Sequence, residues 1–468
     1  MNGVLKWAHY RYFIVAMLAM LLSLPFLSRG LYETSEGRYA KVAQNMVDSG
    51  DYFVPRLNGK AHLTKPPLTY WVIAMGLKSA GQNTQGARLP HAFVFILLAL
   101  VLVKCGDLLA SQELGLLAGT IFATSLFSSL GSMALTTDLL VTFFHALSFL
   151  AILLVREKKT IPRAMLFWVA VGLGFLTKGP VAFLVLPFFF LWMRDEAIYL
   201  FTSHTWPLGL MTGLSWYAGL ELTSPGILRQ MFYEEIYLRA TTDFSGRNPF
   251  WWAPFAVYVP PILLGGGAWI LAASKKSLNE MREVFPFHWS AMLLAWIMGL
   301  MLFFMLVKSR LPLYVLPLTV PVSLLLAWLV LHSRRNVMVP LAVNLLLLLT
   351  LKTYGTFFHQ DLKDAGQLSG AIAKTVGVKT RVHTFKDQPI LGLEFYRKEN
   401  VVHVSGHTDL INTLHEGGRY FLLKKNKVRW FKQLLPQVYS AKRVEKFGPY
   451  QLVEIAVKVP TNPVGTIR

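Results

Sequence analysis

Between Tyr12 and Tyr354 the chain returns to apolar runs at short intervals, and that recurrence limits its fold more than any other feature. A backbone buried in lipid must satisfy its own N–H and C=O groups, so such runs fold as helices. With 54% apolar residues and a mean hydropathy of +0.45, most of the chain belongs in a membrane. We place spans at about 12–27, 86–104, 112–129, 133–154, 163–177, 180–193, 204–221, 251–274, 286–307, 311–332 and 337–354, about eleven in all. The first follows Lys6 and Arg11 and lacks a small-residue cleavage site, so it reads as a retained helix rather than a signal peptide.

Charge placement orients these helices. With the basic N-terminal flank inside, alternation puts Arg156 to Lys159, Arg194, Lys275-Lys276, Arg282 and Arg334-Arg335 on that same cytoplasmic side. The net charge of +21 is dispersed through short loops and the tail, which suits lipid headgroups and phosphates and argues against nucleic acid. A single cysteine, Cys105, rules out an internal disulfide.

The most polar part of the membrane region is the stretch from Tyr32 to Trp71, expected outside. After the cap candidates Thr34 and Ser35, apolar residues recur at Tyr39, Val42, Ala43, Met46 and Val47, the rhythm of an amphipathic surface helix that Gly50 would stop. Glu36 and Arg38 lie in its first turn. Lys65 precedes Pro66-Pro67, which hold it extended and start a second helix. Beyond Tyr354 the composition turns mixed and polar. Strand-like runs at Thr380 to Phe385, Val401 to Val404, Tyr420 to Leu423 and Gln451 to Val457 alternate with helical patterns at Asp361 to Thr375 and Asp409 to His415. The expected organisation is therefore a transmembrane domain over 1–354 and a small extracytoplasmic α/β domain over 355–468.

Asp138 lies in the apolar run Ser132-Met-Ala-Leu-Thr-Thr-Asp-Leu-Leu-Val-Thr-Phe-Phe144, where an ionised carboxylate is costly and marks a functional site. Lys178, in a Lys-Gly-Pro turn, and Lys308 and Arg310, around a turn closed by Pro312, each read singly as headgroup-facing cations. Taken with Arg38, Arg56, Lys65 and Arg247 they form a cationic set on the outer side, facing Glu36 and Asp138 and suited to a phosphate or pyrophosphate. Glu36 also reads as a first-turn carboxylate favoured by the helix dipole, and Glu234-Glu235 as a solvated loop pair. The histidines have no metal-site spacing, and no Walker A, G-x-G-x-x-G or nucleophile-elbow motif is present, which excludes the common nucleotide and hydrolase signatures.

Several of these stretches, in one order, resemble a known family. Glu36-Gly-Arg-Tyr-Ala40, Ser49-Gly-Asp-Tyr-Phe-Val-Pro-Arg-Leu-Asn-Gly59, Lys65-Pro-Pro-Leu-Thr-Tyr-Trp71, Asp138, Thr177-Lys-Gly179 and Arg310-Leu-Pro-Leu-Tyr-Val-Leu-Pro317 are similar to the lipid A aminoarabinose transferases (ArnT) and the related protein O-mannosyltransferases, membrane glycosyltransferases of the GT-C class. The resemblance implies a GT-C polytopic helical fold in the bacterial inner membrane, with a periplasmic site that moves a sugar from a polyprenyl-phosphate donor to a lipid, glycan or protein acceptor. It implies Glu36 and Asp138 as the catalytic carboxylates and inversion at the anomeric carbon. Arg38 and Lys65 match phosphate-binding positions, and Tyr314 matches a tyrosine beside the phosphate. The family's first acidic pair is here Ser35-Glu36, leaving the acid role to Glu36. Its zinc ligands fall at Thr64 and Ile236, so no cofactor and no dependence on that zinc site are expected, a divalent metal held elsewhere being the alternative. A lipid flippase would carry midplane charges and repeat symmetry between halves, neither of which is visible. An inactive scaffold would not be expected to keep Glu36, Asp138 and the cationic set.

Overall fold

The computed structural model describes residues 3–32, 35–238, 241–242, 250–273, 287–333, 336–359, 361, 363–386 and 390–458. The chain forms two compact units: one of Met1–Arg29, Asn45–Arg56 and Lys60–Phe357, the other of Gly30–Gln44, Leu57–Gly59 and Phe358–Arg468. Lys275, Lys276, Arg282, Arg334 and Arg335, used above to orient the helices, lie outside the described residues.

The first unit is helical. Among the described residues, seven segments are long and apolar enough to cross a bilayer: Trp7–Phe26, Thr84–Leu109, Thr137–Glu157, Ile161–Trp192, His288–Leu306, Pro312–His332 and Met338–Phe358. The remaining expected spans are helical but short or broken, and their breaks have local causes. Expected spans 163–177 and 180–193 join into one stretch interrupted at Gly179-Pro180, where Gly179 takes φ +66° and a proline lacks the donor to continue the ladder. The 112–129 run divides at Ser125, whose extended backbone separates Gln112–Thr124 from Leu126–Gly131. The 251–274 run divides around Gly265 to Gly267 into Ala253–Leu263 and Ala268–Ala272. Trp206–Thr223 fills the remaining expected place.

Both helices expected in the polar stretch form. Ser35–Ser49 ends where the Gly50 N–H bonds Met46 O at 2.9 Å with φ +73° at the glycine. Leu68–Ala80 starts directly after Pro67. In the membrane unit, Thr137–Glu157 packs along Ile161–Lys178, and the latter along Trp206–Thr223. Gly172 makes that second approach possible, since a Cβ there would sit 2.2 Å from Thr212 Oγ1.

The second unit is an α/β sandwich around a five-stranded sheet. Its strands are β1 (Val382–Phe385), β2 (Val401–Val404), β3 (Tyr420–Lys424), β4 (Tyr439–Phe447) and β5 (Tyr450–Val457), in the order β2-β1-β3-β5-β4. The first three strands are parallel, and the β4–β5 hairpin adds antiparallel to β3. Alternating side chains cover both faces. Val382, Leu422 and Leu452 pack with Leu368, Ile372 and Leu393 on one side, while Phe421, Val453 and Ile455 pack with Leu410, Leu414 and Phe431 on the other. Three strand limits differ from the sequence reading, β1 starting at Val382 rather than Thr380, β3 ending at Lys424 rather than Leu423 and β5 starting at Tyr450 rather than Gln451, and β4 has no counterpart there. The burial pattern of β4 is irregular and a register shift falls between Arg443 and Glu445, which hides the period of two.

Residues 30–44 fold as part of this second unit. Tyr32 bridges Asp364, Ala365 N donates to Leu31 O at 2.9 Å, and Gln44 Nε2 donates to Phe395 O at 3.3 Å. Gly30 is required by proximity, because a Cβ there would lie 1.9 Å from the Asp364 carboxylate.

In the same unit, His383 is buried against Phe421 with ring centroids 5.0 Å apart, and its Nδ1 lies 3.2 Å from Tyr420 O. Burial pulls its pKa down, as it does that of His403. A histidine whose folded pKa is depressed contributes stability that is present above its unfolded value, about 6.5, and lost as pH falls through the folded value. Deuterium exchange at the imidazole C2 positions is expected to give both residues apparent pKa values below 6.5 in the native protein. Values at or above 6.5 for both would contradict the burial.

Candidate active site

The centre of the candidate site is built by two neighbouring helices that share one short turn. Thr137–Glu157 and Ile161–Lys178 contain 21 and 18 residues, so at about 1.5 Å per residue they are nearly equal in length and their far ends meet. Asp138 stands at the N-terminal end of the first, with its N–H bonded to Thr136 Oγ1 at 3.3 Å, and Lys178 at the C-terminal end of the second. Each charge lies at the helix end whose dipole favours it.

The Lys178 ammonium donates to Asp138 Oδ1 in an ion pair whose two side chains are each under a tenth exposed. The same ammonium lies 4.6 Å from the centroid of the Tyr314 ring. Tyr314 is on the 3-10 segment Pro312–Leu318, which packs against Thr137–Glu157. Tyr258, fully buried on Ala253–Leu263, is within electrostatic range of Asp138, Arg310 and Tyr314. A buried pair of this kind is not evidence of stability by itself, since desolvation offsets much of the attraction. Its position beside a cavity gives it another use.

That cavity, of about 380 Å3, has Lys65 and Lys178 on its wall and is otherwise mostly apolar, with Phe175, Leu214, Tyr217 and Met231 among its lining. A second apolar cavity of about 180 Å3, between Ile161–Lys178 and Trp206–Thr223, shares Phe175 and Leu214 with it. The first cavity thus sets two lysines among mostly apolar side chains. Lys65 Nζ donates to Thr64 O at 2.9 Å.

The remaining expected site residues fall elsewhere. Arg310 is buried, with Nη2 donating to Met305 O at 3.3 Å and Nη1 at 3.5 Å to Phe250 O and Lys308 O, so it ties its own turn together. Lys308 is exposed. Arg56 is not on the cavity wall. It pairs with Asp51 at 3.4 Å in a half-exposed loop contact, and the Val54 N–H hydrogen bond holds the Asp51 carboxyl below its usual range, with help from Phe53 N–H and Arg56. Glu36 and Arg38 belong to the second unit. Buried Glu36 accepts from Tyr32 N–H at 2.9 Å, and the Arg38 guanidinium lies 5.8 Å from the Tyr39 ring centroid. Arg247 and the side chains of Glu234, Glu235 and Ile236 lie outside the described residues.

Thr64 Oγ1 lies 2.9 Å from His62 Nε2. Sequence reasoning missed Tyr217 and Tyr258. Neither belongs to a charged or Gly/Pro-marked motif, and a tyrosine within an apolar helix reads as core until its neighbours are known.

Comparison with known proteins agrees with this architecture. Residues 64–220 match the family model for dolichyl-phosphate-mannose-protein mannosyltransferase. The chain is 29% identical over 327 residues to the undecaprenyl phosphate-alpha-4-amino-4-deoxy-L-arabinose arabinosyl transferase of Pectobacterium atrosepticum, covering 67% of this chain and 58% of that protein. It therefore spans less than two thirds of the length of the curated relatives it matches. The crystal structure of ArnT from Cupriavidus metallidurans bound to undecaprenyl phosphate superposes with a TM-score of 0.76 at 18% identity, covering 94% of this chain and 97% of that one. An archaeal oligosaccharyltransferase, AglB from Archaeoglobus fulgidus, superposes with a TM-score of 0.52 at 11% identity, covering 98% and 75%. The fold is that of the GT-C membrane proteins, polytopic and helical with a small sheet domain at its C-terminal end. In fold the chain is similar to ArnT.

Proposed function

We propose that this protein is a membrane glycosyltransferase that moves a sugar from a polyprenyl-phosphate donor to an envelope acceptor. The observation that carries this reading is the buried Asp138–Lys178 pair, whose lysine shares the wall of a mostly apolar cavity with Lys65. A polyprenyl phosphate needs cations for its head and an apolar surface for its chain, and the cavity lined by Lys65, Lys178 and apolar side chains supplies both. Relatives named as undecaprenyl phosphate-alpha-4-amino-4-deoxy-L-arabinose arabinosyl transferases support the donor class. The positive-inside distribution supports a periplasmic site in the inner membrane.

In the proposed reaction an acceptor hydroxyl oxygen attacks the anomeric carbon. The bond from that carbon to the phosphate oxygen breaks, and its electrons leave with the polyprenyl phosphate. The hydroxyl proton passes to a carboxylate, for which the candidates are Asp138, the ion-pair partner of Lys178, and Glu36, from the family pattern. Lys178, Lys65 and the Tyr314 hydroxyl would neutralise charge growing on the leaving phosphate, an effect that is large where donors are held in advance and water is excluded. No step requires a metal, and turnover is expected to survive EDTA. Loss with EDTA and recovery with zinc would contradict that expectation.

Lys65→Ala is expected to raise the donor concentration needed for half-maximal turnover, by an amount equivalent to about 2–5 kcal/mol, with insertion intact. Unchanged donor dependence would remove Lys65 from the site. Function in the cell is tested by mass spectrometry of envelope lipids and glycoproteins from a deletion strain. The expected result is one glycolipid or glycan lacking a single sugar, restored by the wild-type chain but not by Asp138→Asn. An unchanged glycan and lipid profile would overturn the reading.

A further inference from the structure

The sheet domain has its own cavity, of about 150 Å3, at the carboxyl ends of β1 and β3. These two strands are neighbours in the order β2-β1-β3, and the chain leaves β1 through Leu391–Arg397 and enters β3 from His407–His415. The two helices pack on opposite faces, Leu393 with one core and Leu410 with the other. Such a reversal opens a crevice beyond the strand ends, the usual ligand position in open α/β sheets.

Three lysines line this crevice: Lys386 just after β1, Lys424 at the end of β3, and Lys427 in the turn that follows. No carboxylate appears among its described lining residues. Trp430 holds two of the ammonium groups, 4.9 Å from its ring centroid for Lys386 and 5.7 Å for Lys427. A carboxylate would neutralise them, whereas an indole holds them and leaves their charge in place. Like charges gathered around one cavity repel each other, and an anion relieves that repulsion. Lys386 also occupies the left-handed region at φ +52°, where glycine or asparagine would be less strained. The floor is apolar, formed by Phe385, Leu422, Phe431 and Tyr450.

We propose that this crevice binds a phosphate ester, with the phosphate between Lys386, Lys424 and Lys427 and the ester's organic part on the apolar floor. A sugar phosphate and a phospholipid headgroup share that chemistry. None of these residues enters the transfer reaction proposed above, so the two readings fail separately.

The test uses the full-length chain in nanodiscs and reads acylation of individual lysines by an N-hydroxysuccinimide ester, followed by mass spectrometry. One arm adds glucose 1-phosphate, or glucose as control, to phosphatidylcholine discs. The other replaces the lipid with phosphatidylglycerol and adds no soluble ligand. Saturable protection of Lys386 and Lys427, with exposed Lys425 unprotected, is expected in at least one arm. Protection by glucose 1-phosphate identifies a sugar phosphate, and protection by phosphatidylglycerol alone identifies a headgroup. Because a charged hydrogen bond to phosphate is worth about tenfold in affinity, Lys427→Gln should raise the half-protecting concentration for Lys386 about tenfold. Protection in neither arm, equal protection by glucose, equal protection of Lys425, or no shift in Lys427→Gln would overturn the proposal.

Discussion

Asp138→Asn is expected to lower turnover of a polyprenyl-phosphate sugar by about 10²–10⁴-fold, the range for losing a positioned proton acceptor. Asparagine keeps the shape of the side chain and the Thr136 contact to the backbone, so the start of Thr137–Glu157 should survive. It removes the negative charge facing Lys178, however, and leaves that buried ammonium without its ion-pair partner. Breaking one side of a buried pair costs about 3–5 kcal/mol, so the variant should also melt earlier. The two effects separate when turnover is measured well below the melting transition. A catalytic role predicts loss of turnover there, with donor binding nearly kept. A purely structural role predicts normal turnover by the molecules that remain folded.

Lys178→Ala carries the second large effect. In the resting arrangement the ammonium is shared between the Asp138 carboxylate and the Tyr314 face. Donor phosphate entering the cavity would compete for it. In the transition state, where the leaving phosphate gains charge, the ammonium should count most, and loss of one such donor costs about 10²–10³-fold in turnover. The alanine also leaves a buried carboxylate unpaired. The double variant Asp138→Asn with Lys178→Ala is therefore expected to be more stable than either single variant, yet no more active. Stability and activity then move in opposite directions, which a pair with only a structural role would not show. Equal turnover in wild type and Lys178→Ala at limiting donor would remove the lysine from the reaction.

Much of this site was legible one residue at a time. Asp138 announced itself as a charge in an apolar run, and Lys178 as a cation in a Gly-Pro turn. Their pairing was not legible, because it depends on two helices of similar length meeting again about forty residues apart. Cationic type alone does not show which of the expected cations line the cavity. Arg56 has the right charge but is drawn to Asp51 by a loop that the Asp51 carboxylate itself organises through Phe53 and Val54 N–H. Arg310 is spent on the carbonyls of its own turn. The surface helix Ser35–Ser49 was readable from its apolar rhythm and Gly50. That residues 30–44 would fold with strands and helices over three hundred residues later was not, since a Tyr32–Asp364 bridge leaves no local period. In the sheet domain, regular alternation revealed β2 and β3, whereas the bulged β4 concealed itself.

The most direct test of the central claim is release of polyprenyl phosphate by the purified full-length chain in nanodiscs, supplied with a radiolabelled polyprenyl-phosphate sugar and an envelope-lipid extract as acceptor. The account predicts that the label passes to an acceptor as polyprenyl phosphate accumulates in equal amount, and that Asp138→Asn with Lys178→Ala reduces both to background. Transfer by that double variant at the wild-type rate would contradict the assignment of the site, and movement of intact donor across the bilayer without cleavage of the sugar–phosphate bond would contradict the assignment of a transferase.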